Sequence, residues 1–381
     1  MYPAIVMEII TGRYTIKQIF KDHWPDFLKK YRKGIPNYVI ENVEKVLNCR
    51  DPQRLGYHKY VCENHPDQVI VVPHSCKSRF CNSCGKVMAD QWTEKAFKYF
   101  PDSPFYHITF TISTISDKLR PYFYLKPELR SLLFQAAAES VLGWFRERSI
   151  LPAVVCVLHN HGRDGKHHPH IHMLVSAGGL DLETRQHWIK QDYLPWNMLK
   201  IRWKVKLLLG LKEILPKDLK EILFSIKWYV NVGLRLINAR ATVHYIGRYT
   251  KKPVIAETRI TGYDGQFVTF VFQDFRSNSE VKWTLPVEKF ISLLIQHIPP
   301  KQFRMIKYYG LMVNRARRKW QDLLRRYLFL KHKMRLLSWK KRQIDFRKSD
   351  PLICPICGKE MILKEMAFWS FLGELVVIPV D

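Results

Sequence analysis

The sequence predicts an α+β protein built around an antiparallel sheet flanked by helices. Three β-branched and aromatic runs, FYHITFTIS (105–113), AVVCVLHN (153–160) and HIHMLVSAG (170–178), read as strands. Between the first two lies PELRSLLFQAAAESVLGWFRERS (127–149), a long helical stretch, and the last two are joined by the turn-rich GRDGKHHP (162–169). Strand, helix and hairpin in that order favour a mixed, antiparallel architecture over alternating βαβ units.

The remaining elements follow the same logic. Apolar residues at helical spacing over residues 14–47 predict N-terminal helices, and a turn-rich, cysteine-rich part follows to about residue 85. KVMADQWTEKAFKYF predicts a short helix ending at Pro101. Helices are expected from 184 to 226 and over NARATVHYIGRYTKKP, then a hairpin over GQFVTFVFQDF and EVKWTLP. Beyond 287 the pattern is helical and basic, above all in NRARRKWQDLLRRYLFLKHKMRLLSWKKRQIDFRKSD, either a solvated face over an apolar stripe or a surface for DNA phosphates. The expected division is an N-terminal helical and zinc-ribbon-like domain (1–100), a central domain (101–286) and a basic helical C-terminal region (287–381).

Composition narrows the function. The 381 residues are 47% hydrophobic and 13% aromatic, enough for packed cores, while the net charge of +28 favours a polyanion and makes DNA the expected partner. No apolar run approaches the roughly 20 residues that span a bilayer, so no membrane partner is expected. The N-terminus lacks a signal-type core, which predicts a cytoplasmic protein. No G-x-x-x-x-G-K-[ST] loop for ATP occurs in the chain.

Five of eight cysteines fall between residues 49 and 84. Without an export signal, metal binding is favoured over disulfides. Cys62-x2-His65 and Cys81-x2-Cys84 are two ligand pairs on tight turns and suit one structural zinc, although His65 also reads as a surface histidine. Cys49, His58, His74 and Cys76 are surplus and form a second site or exchange with a member of the first. Cys354-x2-Cys357 is half a knuckle that needs partners from elsewhere, and Cys156 in an apolar strand reads as core.

The densest chemistry lies in LHNHGRDGKHHPHIHMLV (158–175). On a strand, His170 and His172 share a face while Ile171 takes the other. His159 closes the preceding strand across a short loop and is the first choice for a third ligand, with His168 and His161 as rivals; His167 reads as solvent-exposed. Three imidazoles with open positions make a Lewis-acid site for a divalent ion, and an all-nitrogen set suits manganese better than magnesium. Downstream, Tyr245 and Tyr249 stand one helical turn apart, with Arg248, Lys251 and Lys252 around them as candidate DNA contacts. By spacing alone, two such tyrosines also fit an aromatic stripe against a core.

The combination resembles the HUH nucleases, and with the cysteine cluster, HITFTIS, HPHIHMLV, YIGRYTKKP, HIPPKQFRMIKYYG and CPICGK it resembles the rolling-circle transposases of the insertion sequence 91 family. The likeness runs from about Cys49 to Gly358. It implies that the central domain is an HUH endonuclease fold, with His170 and His172 as ligands of Mg2+ or Mn2+ and Tyr245 and Tyr249 as nucleophiles. His159 enters by analogy with relaxases of the same superfamily. It further implies nicking and rejoining of single-stranded element ends through a 5′-phosphotyrosine, in a nucleoid-associated bacterial protein. His65 departs from the pattern, where a second cysteine is more usual. The competing readings are a replication initiator or relaxase, a non-enzymatic zinc-containing DNA-binding protein, and a nuclease built on acidic residues.

Overall fold

The computed structural model describes residues 13–96, 100–112, 118–162, 164–226, 228–236, 239–250, 254–274, 278–315, 319–320, 337–370 and 373–380, without the side chains of 120, 234, 239, 240 and 248–250. Most of the basic stretch 314–350 therefore lies outside the described residues, as do Lys251 and Lys252.

The first helix of the described residues is α1 (Ile16–Tyr31), whose N-terminus is capped by the Thr15 hydroxyl accepting from Gln18 N–H at 3.1 Å. Ile16, Ile19, Phe20, Trp24 and Phe27 make its buried stripe, continued by Val39, Ile40, Val43 and Val46 of α2 (Asn37–Leu47). A one-turn α3 (Pro52–Leu55) leads into β1 (Tyr57–Val61) and β2 (Val69–Pro73), and α4 (Asn82–Ala96) starts directly after Cys81.

The middle of the chain builds the central sheet. Its elements are β3 (Phe105–Thr111), α5 (Arg120–Leu125), α6 (Arg130–Arg146), β4 (Ile150–His161), β5 (His167–Asp181) and β6 (Trp188–Lys190). They are followed by α7 (Trp196–Gly210), α8 (Lys217–Ser225), β7 (Tyr229–Leu236) and α9 (Ala239–Thr250). Next come β8 (Ile260–Tyr263), β9 (Phe267–Asp274), β10 (Ser279–Pro286), α10 (Val287–Ile295) and β11 (Ile306–Gly310). A helix at Trp339–Arg347 precedes the C-terminal hairpin of β12 (Ile362–Trp369) and β13 (Leu375–Pro379). No helix among the described residues is long and apolar enough to cross a membrane.

The central sheet has the order β11-β4-β5-β3-β7, with β6 added to β5, and every pairing is antiparallel. One face carries Ile108, Phe110, Cys156, Leu158, Ile171 and Met173 into a core shared with Leu133 and Phe134 of α6 and Leu199 and Trp203 of α7. On the other face Phe105, Val155, Val157 and Leu174 pack against Val243 and Ile246 of α9. The period of two thus buries both faces near the middle of β4 and β5, which is why their sequences are almost wholly apolar there.

The architecture agrees with the α+β expectation. Strands β1, β6, β7, β8, β11, β12 and β13 were not foreseen, and β6 stands where helix was expected from residue 184. The region beyond 287 is also less helical than its pattern suggested: β11 pairs with β4, and β12 pairs with β1 in the four-stranded order β13-β12-β1-β2. Across the expected boundaries near 100 and 286 the chain shares cores, because the stripes of α1 and α2 pack with Phe270 of β9 and Phe290 of α10.

Candidate metal centre and nucleophile

Strand register sets out the site. His159 lies directly opposite His170 across β4 and β5, and His172 lies opposite Thr109 across β5 and β3. Residues paired across strands share a face, so these side chains join the face that α9 covers. Ligand atoms of His159, His170 and His172 all lie within 4.8 Å of one another.

Hydrogen bonds decide which nitrogens are presented. His170 Nδ1 stands 2.7 Å from the His168 carbonyl, which can only accept, so Nδ1 carries the proton and Nε2 is left as a bare lone pair. That Nε2 faces His172 Nε2 at 3.1 Å. His172 Nδ1 is held by His107 Nε2 at 2.9 Å, with the Thr109 hydroxyl at 3.5 Å. Burial pushes the pKa of His170 down and that of His172 well below the ordinary histidine range, the latter helped by neighbouring histidines. Neutral rings with nitrogens turned towards one another fit a divalent cation, which accepts lone pairs that would otherwise repel.

His107 is the member that reading the sequence missed. It sits on β3, its ring stacks on His172 with centroids 5.1 Å apart, and burial and His170 bring its pKa to about 4. Its other nitrogen, Nδ1, lies 3.3 Å from the Tyr245 hydroxyl. The signal was one polar, ring-bearing residue at an alternating position in FYHITFT.

Tyr245 reaches this point because α9 is clamped on both sides. Val243 and Ile246 are fully buried against the sheet. On the α4 side, a Cβ on Gly247 would stand only 2.3 Å from Thr93 Oγ1, so glycine lets the two helices approach. Tyr249 follows one turn along α9, but its side chain and that of Arg248 lie outside the described residues, as do Lys251 and Lys252.

Of the rival ligands, His161 stacks on His159 at 5.5 Å between centroids but belongs to no ligand cluster, and its Nδ1 meets the Gly162 carbonyl at 3.1 Å. Burial lowers its pKa to about 4. His167, expected to be solvent-exposed, has both ring nitrogens buried and stacks on His297 at 6.1 Å.

The cysteines correct the expected quartet of Cys62, His65, Cys81 and Cys84, because the two pairs belong to different clusters. Cys81 and Cys84 join Cys49 and Cys76, with sulfur separations of 3.5 Å (Cys76–Cys84), 3.7 Å (Cys49–Cys84) and 3.9 Å (Cys49–Cys81). Bonds of about 2.3 Å to a tetrahedral ion put sulfurs about 3.8 Å apart, whereas a disulfide needs about 2.05 Å. Hydrogen bonds from Cys76 and Cys81 bring the Cys49 thiol down to about 7.

Cys62 and His65 instead join Cys354 and Cys357, so the half-knuckle finds its partners across almost the whole chain. Cys62 Sγ lies 3.5 Å from Cys357 Sγ and 3.8 Å from His65 Nδ1, which is equally 3.8 Å from Cys354 Sγ. The tertiary pairing of β1 with β12 brings the two halves together, and linear spacing carries no trace of it. His58 enters neither cluster: it meets His74 Nε2 at 3.1 Å, while His74 Nδ1 donates to the Leu55 carbonyl at 3.0 Å.

Comparison with known proteins identifies the family. Residues 19–112 match the family described as "Transposase zinc-binding domain", and residues 153–319 match the one described as "Putative transposase". The chain is 30% identical over 390 residues to the "Transposase for insertion sequence element IS801" of Pseudomonas savastanoi pv. phaseolicola, covering 95% of this chain and 92% of that protein. It is 26% identical over 289 residues to "Putative transposase y4qJ" of Sinorhizobium fredii (strain NBRC 101917 / NGR234), covering 69% and 72%. No solved structure matches. With two family matches and a relative aligned along nearly its full length, the chain belongs to the insertion sequence 91 family of transposases, DNA-processing enzymes with a zinc-binding N-terminal part.

Proposed function

We propose that this transposase nicks and rejoins single-stranded DNA at the ends of its element through a 5′-phosphotyrosine, with Tyr245 and Tyr249 as nucleophiles. One observation carries the reading: Tyr245 stands one hydrogen-bonded imidazole, His107, away from the cluster of His159, His170 and His172.

Those three imidazoles would hold Mg2+ or Mn2+, manganese being better matched to nitrogen donors. A bound ion supplies Lewis-acid polarisation of the scissile phosphate. His172, offering Nε2, keeps its proton on Nδ1 and donates it to His107 Nε2. His107, too weak a base at a pKa of about 4 to take the phenolic proton, then carries its own proton on Nδ1 and points it at the Tyr245 oxygen. It is thus a positioning residue that favours the phenolate. The Tyr245 oxygen bonds to phosphorus, the bond to the 3′ oxygen breaks, and that oxygen ends as a hydroxyl holding the proton the phenol gave up. One ester replaces another, so rejoining needs no nucleotide cofactor. A second tyrosine on the same helix permits a second transfer.

Zinc would occupy the Cys49, Cys76, Cys81 and Cys84 cluster and the Cys62, His65, Cys354 and Cys357 cluster. Arg248, Lys251 and Lys252 would neutralise strand phosphates, consistent with the net charge of +28. The test is a labelled single strand incubated with manganese and denatured. Protein-bound label should form with the wild type, vanish when Tyr245→Phe and Tyr249→Phe are combined, and leave strand binding unchanged. Adducts that persist in the double variant refute the nucleophile assignment.

A further inference from the structure

A cavity of about 190 Å³ lies between the far end of β4, the Cys76–Cys81 turn and the segment after α10. His159 lines it, so it opens beside the imidazole cluster. Three of its lining residues carry buried side-chain atoms that lack hydrogen-bond partners among the described residues.

Asn160 is 2% exposed, and neither its amide nitrogen nor its amide oxygen is bonded. His297 is 6% exposed, and its Nε2 donates to the Gly165 carbonyl at 2.6 Å. Burial keeps that ring neutral, so Nδ1 is a bare acceptor, and it has no partner. Arg79 is half-buried; its Nη1 is buried with no hydrogen-bond partner among the described residues, and desolvation lowers the guanidinium's pKa.

The large majority of buried polar side-chain atoms in proteins have a hydrogen-bond partner, and an unpaired one costs its desolvation. Three exceptions around one cavity describe a ligand: an anion for the guanidinium, and a group offering both donor and acceptor atoms for the amide and the imidazole. Phe80, Ile298 and Met305 add apolar wall, which suits a flat ring.

Resting on the reading that the imidazole cluster holds the scissile phosphate, we infer that this cavity takes the unpaired nucleotide adjoining that phosphate. Arg79 holds its phosphate, and Asn160 with His297 reads the edge of its base. The zinc-binding part then has a direct role, because Arg79 lies between two cluster cysteines. Ser78 N–H is 3.4 Å from Cys76 Sγ, Ser78 Oγ donates to Asn42 at 2.8 Å, and Phe80 N–H donates to Ser78 Oγ at 3.1 Å. The turn that aims Arg79 is therefore built on the cysteine cluster.

The test uses the full chain and single-stranded oligonucleotides carrying either terminus of the element that encodes it, with an abasic nucleotide walked along each. In the wild type, one position next to the nick should lose about tenfold or more in affinity when its base is removed. In Asn160→Leu that penalty should disappear at that position and persist elsewhere. The DNA-free melting temperature should hold or rise, since an unbonded buried amide is gone. Arg79→Gln should abolish sensitivity to a neutral methylphosphonate at the same nucleotide. A full abasic penalty in Asn160→Leu, or no sensitive position in the wild type, overturns the proposal. Wild-type adduct with no Asn160-dependent position sinks the pocket alone, whereas wild type without adduct sinks the cleavage reading and this inference with it.

Discussion

Replacing Cys354 and Cys357 together by serine separates the two-cluster arrangement from a single quartet. Cys62 and Cys357 are 295 residues apart and their sulfurs 3.5 Å apart, so an ion between them would close a loop of most of the chain. The entropy of closing such a loop corresponds to about 6 kcal/mol at 25 °C. That is an upper bound, because pairing of β1 with β12 closes the same loop and survives the substitution. Beside that ladder the surviving polar side-chain contacts are modest: Tyr57 donates to Glu365, and Lys59 pairs with it at 3.3 Å, a partly exposed ion pair worth roughly 0–1 kcal/mol. The expected outcome is a fall from two zinc ions per chain to one by elemental analysis. Amide exchange across β12 should accelerate by several orders of magnitude while α6 and β4 stay protected. A variant that keeps two ions, a wild type that binds only one, or unchanged exchange over 362–369 refutes the arrangement.

His107→Phe should keep manganese at the imidazole cluster, seen by paramagnetic resonance, yet slow adduct formation about 10- to 100-fold, the usual scale for partners behind the ligands; an unchanged rate removes His107 from the mechanism. pH should act late at the same cluster. Burial lowers the pKa values of His170 and His172 from the ordinary 6.5, so at these two ligands protons compete with the ion only below that value, and the loss of manganese affinity should be centred under pH 6.5. Release centred above 6.5 contradicts that sign. Gly56→Ala should destabilise the four-stranded sheet by about 1–3 kcal/mol or more. Its φ is +84°, and the new Cβ would stand 2.1 Å from the Ala367 carbonyl oxygen. An unaltered melting temperature would show that β1 and β12 part at no cost.

What the sequence revealed was whatever repeats at short range. His170 and His172 share a face because strands alternate, and that relation needs only two residues between turns to be read. His159 opposite His170 follows from a short hairpin, one step further. His107 depends on β3 lying beside β5 rather than β4, a choice of sheet order that local pattern does not encode. The pairing of Cys62 and His65 with Cys354 and Cys357 is more remote still, since only the fold relates β1 to β12. Strand β7 was missed for a different reason: YVNVGLRL alternates weakly, and among the described residues it stands at the end of the sheet order, beside β3.

The position of Tyr245 links the two chemistries. Cys81 and Cys84 flank the first residues of α4, so the cysteine cluster fixes where that helix begins. Helix α4 in turn meets α9 at Thr93 and Gly247, two residues along from Tyr245, and α9 is pinned to the sheet by Val243 and Ile246. The tyrosine hydroxyl thus stands where two rigid contacts place it, rather than on a loop, and 3.3 Å from His107. On the proposed reading Tyr245 is a nucleophile, which must lie near its phosphorus with the right orbital direction for proximity to count, and misplacement by about 1 Å can cost a hundredfold. Loosening the cysteine cluster would therefore reach the tyrosine through one helix and one glycine contact, without touching His159, His170 or His172.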